Sequence, residues 1–403
     1  MRSIDQTSRL RSFALGFVSA ASYGVLLSTG TTARAANVAD QVAALKAVGP
    51  EGAGNTKAKE AWQQLSQANA QALPLILAGL DDANPLAANW LRASVDTIAE
   101  RELRKGAKLP AAELEKFTLD TKHEPRARRL AFEWLCRADQ TAADRLIPKM
   151  LNDPSVEFRR DAVARLLIEA EQLDSDKKPE AADVYRRALG GARDLDQVQE
   201  IVKKLEGHGQ TVDVPSHFGY LMEWKLIGPF DNTGEAGFDV VSPPETELKF
   251  TAEYPGKSGP VKWIDHATDD IYGKVDLNKA ITKANGVTAY ATTEFTAAEA
   301  RPIELRMATV DAIKVWLNGE LISANNVYHA GDKMDQYIAH GHLKQGKNVI
   351  LVKILQNEQK EEWAQDWEFK LRVCDATGTA VLSKNRPATK PKAAADKKDQ
   401  AAK

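Results

Sequence analysis

The residues Ala312 to Ile322 read Ala-Ile-Lys-Val-Trp-Leu-Asn-Gly-Glu-Leu-Ile, an alternating apolar run that meets the pair Asn318-Gly319. Asn and Gly tolerate the positive φ that both central residues of a two-residue hairpin turn require, so this pair favours a tight β-hairpin. In the first strand Ile313 and Leu317 share the inward face, which places Trp316 on the opposite face. The stretch therefore predicts an antiparallel β domain.

The same C-terminal half contains further short runs in which apolar and polar residues alternate. Clusters of Gly, Pro and Asn separate these runs. Several short strands at such spacing are typical of a β-sandwich or a β-barrel. The predicted strands are Glu223 to Ile227, Ala289 to Phe295, Pro302 to Ala308, Ala312 to Leu317, Lys347 to Leu355 and Trp367 to Cys374.

Two of these strands differ in how their faces are expected to be covered. From Trp367 to Cys374, large apolar residues alternate with Glu, Lys and Arg, which predicts one buried and one solvent-exposed face. From Lys347 to Leu355, the run is apolar on both faces apart from Lys353. This second pattern predicts a central strand whose outer face is also covered.

Residues 36 to 210 carry helical periodicity instead. The order of residue types in Leu73 to Asp82 recurs in Leu146 to Asp153, and a second apolar-periodic helix follows each of them. These segments resemble HEAT repeats, in which helical pairs stack side by side. The resemblance implies a curved helical surface for contacts with a protein partner. A small helical bundle that only supports its neighbour is the alternative, and the sequence leaves it open.

Four segments of the C-terminal half together resemble a bacterial galactose-binding-like jelly roll: Trp224 to Phe230, Pro243 to Glu245, Val315 to Gly319 and Leu343 to Lys353. The resemblance implies an all-β jelly-roll sandwich after the all-α helical repeat domain. That family includes carbohydrate-binding modules of secreted enzymes, and it also includes members that bind no sugar. Fold membership alone therefore leaves sugar binding open.

The N-terminus has the three features of a signal peptide. Arg2, Arg9 and Arg11 precede an apolar run from Phe13 to Leu27, and Ala33-Arg34-Ala35 follows as a small-x-small site for the signal peptidase. We therefore expect a secreted or periplasmic chain that begins at residue 36 and has no membrane span in its mature form. A membrane anchor is the disfavoured alternative, because Gly and Ser residues interrupt the apolar run and it is short for a bilayer.

The predicted organisation has four parts. Residues 1–35 form the signal peptide, residues 36–210 the HEAT-like domain and residues 214–382 the galactose-binding-like β-sandwich. Residues 383–403 form a tail rich in Lys and Ala. We expect the tail to be disordered, because it has no large apolar residue with which to form a core.

Charge and cysteine content exclude several classes of function. The 403-residue chain has a net charge of −2, which provides no long-range field for a nucleic-acid partner. The basic cluster of Arg126, Arg128 and Arg129 has acidic neighbours, so it predicts a solvated helix face rather than an anion site. Cys136 and Cys374 fall in different predicted domains and do not support a disulfide framework.

The candidate ligand-binding residues are aromatic side chains that the core pattern does not explain. Trp363 stands in the charged segment Glu358 to Asp366, and Tyr328-His329 follows the opening hairpin. Trp316 joins them because its ring is expected to point away from the core. Sugars bind through aromatic rings that pack on their C–H faces, so these four residues predict a glycan site. The alternative is that they cap the edge of the sandwich.

Two groups of metal-ligand residue types were considered, and neither predicts a site. His340 and His342 can share one face of a strand, but the sequence supplies no third ligand at suitable spacing. Asp231, Asn232 and Glu245 are oxygen donors without a complete ligand set for calcium. We therefore expect neither a metal nor a cofactor.

No catalytic motif is recognisable, so the leading hypothesis is a secreted, non-enzymatic binding or scaffold protein. Its helical repeats would contact a protein, and its jelly roll would hold a glycan. The alternative is a purely structural envelope protein with no glycan ligand, in which the helical half covers Trp316.

Overall fold

The computed structural model describes residues 37–386. The predicted signal peptide, residues 1–35, and most of the predicted tail, residues 387–403, lie outside the described residues. The chain divides into two compact units, Met1–Phe158 and Arg159–Lys403. Among the described residues, the first unit is helical, and the second contains further helices and every strand. No helix in the described part is both long and apolar enough to span a bilayer.

The helices are numbered from α1, which covers residues 37–46. Short 3₁₀ turns connect several of them. The remaining helices are α2 Asn55–Leu65, α3 Leu73–Ala78, α4 Pro85–Arg104, α5 Ala111–Leu119, α6 Pro125–Ala138, α7 Ala142–Leu146, α8 Val156–Ser175, α9 Ala181–Gly191, α10 Leu195–Gly207, α11 Val214–Phe218, α12 Pro243–Thr246 and α13 Leu277–Ala280.

Helix α4 illustrates how the sequence sets the helices of the first unit. Pro85 occupies the first helical position, where its missing N–H is not needed. The side-chain oxygen of Asn84 accepts hydrogen bonds from the backbone N–H groups of Leu86 and Ala87, both at 3.0 Å. These bonds satisfy two amides that have no partner within the helix. A buried face follows at helical spacing, formed by Leu91, Val95 and Ile98.

Helix α6 carries the basic cluster, and one of its arginines is not solvated. Arg128 is only 1% exposed. Its guanidinium donates two parallel hydrogen bonds to the Asp153 carboxylate, at 2.8 and 2.7 Å, and its Nε donates to the Thr118 carbonyl at 2.8 Å. The predicted solvated face is therefore correct for the exposed Arg126 and wrong for Arg128. In the folded chain Arg128 ties α5, α6 and the segment before α8 together.

The strands of the second unit pair only in antiparallel fashion. One sheet has six strands in the order β4-β1-β6-β11-β8-β9, and another has four in the order β10-β7-β12-β5. The strands are β1 Glu223–Asp231, β2 Glu253–Gly256, β3 Gly259–Lys262, β4 Ile264–Ala267, β5 Val275–Asp276, β6 Val287–Ala297, β7 Arg301–Ala308, β8 Ala312–Leu317, β9 Glu320–Asn325, β10 Tyr337–Leu343, β11 Gly346–Gln356 and β12 Glu368–Cys374.

The two larger sheets enclose one apolar core and form a β-sandwich. Side chains of the six-stranded sheet, such as Val315 and Val352, belong to the same buried cluster as Leu305 and Phe369 of the four-stranded sheet. The six predicted strands are all confirmed: β8 has the predicted bounds, β12 begins one residue later than predicted, and the other four extend beyond the predicted ends by a few residues. The fold class is thus a helical domain followed by a β-sandwich, as the sequence predicts.

The opening hairpin is also confirmed. Strands β8 and β9 pair across Asn318 and Gly319, whose φ angles are 54° and 85°. Both values lie in the left-handed region that this turn requires. The Asn318 side-chain oxygen further accepts a hydrogen bond from the Val349 backbone N–H at 3.0 Å, which ties the turn to β11.

The outer face of the six-stranded sheet carries a second apolar cluster. The hairpin of β2 and β3 packs over β1 on this side. Lys353 of β11 points into the same layer and is only 1% exposed, with its Nζ 2.9 Å from the Glu245 carboxylate. The predicted covered outer face of β11 is therefore confirmed. The cluster is formed by Ile227, Phe230, Val261, Tyr290, Trp316 and Leu351.

The outer face of β12 in the four-stranded sheet is largely covered, contrary to the prediction of a solvent-exposed face, whereas the outer face of the edge strand β10 is exposed. Arg372 of β12 is only 2% exposed, and its guanidinium bonds the Asp335 carboxylate at 2.7 and 2.5 Å. Arg306 of the neighbouring β7 bonds the same carboxylate at 2.8 Å. Asp335 belongs to the segment between β9 and β10, residues 326–336, which we call the strap. Arg372 and Arg306 are thus held in ion pairs with Asp335 rather than solvated.

Candidate functional site

The strap carries two of the four predicted ligand-binding residues. Tyr328 is half-buried, and its hydroxyl accepts a hydrogen bond from the Asn232 side-chain amide at 3.2 Å. Burial raises the pKa of the Tyr328 hydroxyl above its ordinary value. His329 follows with a φ of 58°, an uncommon conformation for a non-glycine residue. Its backbone N–H donates to the Val310 carbonyl at 2.6 Å, which holds the strap beside the start of β8.

Trp363 is the third predicted residue, and its ring faces solvent. It sits in a 3₁₀ turn, Glu362–Ala364, between β11 and β12. The turn is anchored by Ala364, whose carbonyl accepts a hydrogen bond from the buried Gln356 side chain at 3.3 Å. Trp363 itself is 65% exposed. Its ring lies edge-on to His329, with a centroid distance of 5.0 Å and an interplanar angle of 74°.

The structure therefore brings Tyr328, His329 and Trp363 into one aromatic group, although 34 residues separate His329 from Trp363 in the sequence. The fourth predicted residue, Trp316, lies apart from this group. It is only 9% exposed and belongs to the outer apolar cluster of the six-stranded sheet. Trp316 consequently offers little ring surface to a ligand.

A surface cleft of about 580 Å³ is lined by residues that lead along the chain to the aromatic group, since Glu361 of its lining is two positions before Trp363. One wall comes from the segment after β1 and the other from the segment after β11. The two walls are connected, because the Gly234 N–H donates to the Glu358 carboxylate at 3.0 Å. The Asn357 side-chain amide also donates to the Glu235 carboxylate at 3.4 Å. The lining residues are Gly234, Glu235, Asn357, Glu358, Gln359, Lys360 and Glu361.

Asn232 positions the cleft next to the aromatic group. This side chain is fully buried, and its amide donates both to the Tyr328 hydroxyl and to the Gln356 carbonyl at 3.0 Å. One residue thus joins the end of β1, the strap and the end of β11. On the other side of the cleft, Glu361 stands two residues before Trp363 in the chain.

The wall after β1 adopts an unusual backbone conformation. Gly234 and Glu235 have φ angles of 63° and 60°, so both residues lie in the left-handed region. For Glu235 this conformation costs on the order of 1 kcal/mol, which the surrounding contacts must offset. Such residues are frequent where a backbone turns tightly beside a binding site.

Sequence reasoning missed most of the cleft lining. The two walls are 124 residues apart in the sequence, so their meeting cannot be read from local spacing. The sequence contains a partial signal, because Trp363 lies in the charged segment that begins at Glu358, and this segment supplies one wall of the cleft. Gly234 and Glu235 follow the oxygen donors Asp231 and Asn232 after one intervening residue, but nothing local distinguishes this segment from an ordinary turn.

The side chains considered as metal ligands have other contacts. Glu245 accepts hydrogen bonds from Lys353 and from the Tyr290 hydroxyl, at 2.9 and 2.5 Å. His340 and His342 lie on the exposed side of β10, where His340 is 3.6 Å from the Glu304 carboxylate. Across residues 37–386, no three His, Cys, Asp or Glu side chains are grouped so that they can hold one metal ion.

Comparisons with known proteins identify no family. No protein-family model matches the chain, and no curated protein matches it. Among solved structures, a family 35 carbohydrate binding module from Clostridium thermocellum aligns at 15% identity and a TM-score of 0.17, over 22% of this chain and 71% of that one. An anti-sigma factor domain-containing protein from Clostridium clariflavum aligns at 9% identity and a TM-score of 0.24, over 41% of this chain and 45% of that one.

A β-glucosidase from Kluyveromyces marxianus, solved with glucose, aligns at 12% identity and a TM-score of 0.25. The alignment covers 70% of this chain and 35% of the β-glucosidase. The chain thus spans less than half the length of that enzyme and of the anti-sigma factor protein. At such TM-scores these likenesses carry no argument about function, so the proposals below rest on the residues themselves.

Proposed function

We propose that the second unit binds carbohydrate at the cleft and the aromatic group beside it, and that the chain is a secreted, non-enzymatic binding protein. The observation that carries this proposal is the exposed Trp363 ring, held against His329 beside a cleft lined by carboxylates and amides. Binding sites for small molecules combine apolar, often aromatic surface with a few polar groups that fix orientation.

The chemistry of the cleft suits a sugar. A pyranose ring presents C–H groups on one face, which can pack against the Trp363 ring, and hydroxyl groups around its edge. The carboxylates of Glu235 and Glu358 can accept hydrogen bonds from those hydroxyls, and the amides of Asn357 and Gln359 can both donate and accept. The cleft volume of about 580 Å³ lies in the range usual for small-molecule sites.

The remaining parts of the proposal rest on sequence patterns. The recurring order of residue types in Leu73 to Asp82 and Leu146 to Asp153 supports HEAT-like repeats that contact a protein partner. The lack of a recognisable catalytic motif supports binding without turnover. The competing function, a structural envelope protein without a glycan ligand, requires that the exposed aromatic group has no ligand at all.

Secretion is proposed from the basic, apolar and small-residue regions of residues 1–35. Expression in a bacterial host with an intact export pathway is expected to yield a processed chain that begins at residue 36. Mass spectrometry of the intact protein from the periplasm or the medium tests this. Recovery of the full-length chain from the membrane fraction would instead support the anchor.

Replacing Trp363 with alanine is expected to weaken glycan binding about 30-fold, because truncating a central aromatic anchor typically costs ~2 kcal/mol. The wild-type chain is first applied to a glycan array, and the affinity for the best glycan is then measured by calorimetry. Folding should be unaffected, since the Trp363 ring is mostly in solvent.

Phe250 provides a matched control. It is also an exposed aromatic residue, but it packs against Trp263 and near Lys225, toward the opposite end of β1 from the cleft. A Phe250→Ala variant should bind glycan like the wild type. If the wild type binds no glycan, or if both variants bind like it, the cleft is not a sugar site and the structural alternative gains support.

A further inference from the structure

The residues that line the cleft give it a negative charge. Glu235, Glu358 and Glu361 contribute three carboxylates, whereas Lys360 contributes the single ammonium group of the lining. A second ammonium lies nearby on Lys257, but its Nζ is 3.1 Å from the Asp231 carboxylate and is neutralised there. An anionic ligand would therefore be repelled from this cleft, and a cationic ligand would be attracted to it.

Neighbouring donors hold two of the carboxylates in place. Glu358 is held by the Gly234 N–H, and Glu235 is held by the Asn357 amide. Within residues 37–386 no three potential ligands are placed to hold one metal ion. Each carboxylate can accept up to about four hydrogen bonds, so one internal bond leaves Glu235 and Glu358 free to accept others. Carboxylates that are held in place and keep free acceptor positions suit an organic cation with more than one donor.

Trp363 adds a second attraction for the same kind of ligand. An ammonium group over the face of a tryptophan ring gains about 0.5–1 kcal/mol at an exposed site. The Trp363 ring is open to solvent. Within the aromatic group it makes an edge-on contact with His329. A sugar that packs on this ring and also carries an ammonium group would contact both the ring and the carboxylates.

We propose that the cleft selects glycans with protonated amino groups, that is, de-N-acetylated hexosamines. This inference rests on the carbohydrate binding proposed above and names its ligand class. An ammonium donor makes charge-assisted hydrogen bonds to carboxylates, which are roughly twice as strong as neutral ones. N-acetylation of the sugar removes the positive charge of the ammonium group. A uronic acid carries a carboxylate instead, which the carboxylates of the cleft repel.

The test compares three oligosaccharides of equal length: a glucosamine oligomer, an N-acetylglucosamine oligomer and a galacturonate oligomer. Calorimetry at pH 6 is expected to give at least tenfold tighter binding of the glucosamine oligomer than of the acetylated one, and no binding of the galacturonate oligomer. Raising the salt concentration from 20 to 300 mM should weaken only the glucosamine complex, because salt screens partly exposed charges.

A triple variant, Glu235→Gln, Glu358→Gln and Glu361→Gln, should bind the two hexosamine oligomers equally. The matched control is Glu294→Gln, Glu299→Gln and Glu320→Gln, which removes the same charge from exposed glutamates at the far end of β6 and at the β8–β9 turn. The control should keep the wild-type preference, which separates an effect of the cleft from an effect of net charge.

The outcomes distinguish this inference from the function on which it rests. Equal affinity for the acetylated and free-amine oligomers, or tighter binding of the galacturonate oligomer, overturns the amino-sugar inference and leaves carbohydrate binding intact. Loss of the preference in the control variant also overturns it. If no carbohydrate binds under any condition, both proposals fail together.

Discussion

Replacing Asp335 with alanine is expected to destabilise the second unit by about 3–5 kcal/mol, because it leaves buried positive charge unpaired. The Asp335 carboxylate bonds both Arg372 and Arg306, and Arg372 is almost fully buried. Urea denaturation followed by tryptophan fluorescence measures the loss. A shift in the unfolding free energy below ~1 kcal/mol would show that Glu304, which pairs with Arg306, and the Phe218 and Gly378 carbonyls, which accept from Arg372, are sufficient partners without Asp335.

Asp332 in the same strap provides the control for Asp335. Its carboxylate is 2.6 Å from Lys370, but the Asp332 side chain is 48% exposed. Exposed ion pairs usually contribute less than ~1 kcal/mol, so Asp332→Ala should be nearly neutral. The Asp335 variant should also weaken glycan binding, because the strap holds Tyr328 and His329 beside the cleft, whereas the Asp332 variant should not.

The pH dependence follows from the same contacts. Burial by itself raises the pKa of Asp335, but hydrogen bonds and charges from Arg372 and Arg306 outweigh it and lower the pKa below the ordinary 3.8. A carboxyl group with a lowered folded-state pKa stabilises the fold above its unfolded pKa. That contribution is lost as the pH falls below 3.8 and through the folded-state value. In the Asp335→Ala variant this part of the acid sensitivity should be missing.

In the first unit, Arg128→Met is expected to cost about 3–5 kcal/mol for the corresponding reason, since it leaves the Asp153 carboxylate buried without its cation. Arg128 and Asp153 side chains are 1% and 8% exposed, and their two hydrogen bonds are parallel. Hydrogen exchange should locate the loss of protection in α5 and α6, whose connection depends on this pair.

Arg92 is the matched control for Arg128. It lies on α4 and pairs with Glu133 at 3.2 Å, with side chains that are 56% and 44% exposed. Arg92→Met should therefore change the unfolding free energy by less than ~1 kcal/mol. Equal effects of the two substitutions would mean that the buried position of Arg128 adds nothing.

The sequence predicted those structural features that depend on residues close together in the chain. The turn at Asn318-Gly319 needs only the conformational freedom of two residues, and the core strands need only alternation. The exposure of the Trp363 side chain was also predictable, because the charged segment around it contains no apolar residues at the spacing of a buried face. These features depend on information within a few residues of each site.

The features that were missed depend on partners far along the chain. Arg372 appears as a solvent-facing residue in its strand pattern, and its burial depends on distant partners: the Asp335 carboxylate from the strap and the Phe218 carbonyl. The hairpin of β2 and β3, which packs over β1, was not predicted, because both strands are short and pair through Pro255 and Pro260, which are poor strand formers. Whether a charged side chain is buried depends on its partner. The pattern of residues around it in the sequence does not show a partner that lies far along the chain.

The buried Asn232 limits how this site can be re-engineered. Its single amide group joins the Tyr328 hydroxyl and the Gln356 carbonyl, so three chain segments share one small side chain. Suppose that a library of variants changes only one of these three loops. Any variant that displaces the Asn232 amide would then also shift the other two loops. New ligand specificities are therefore best sought by exchanging all three loops as a set, or by varying only the outward side chains while Asn232 stays fixed.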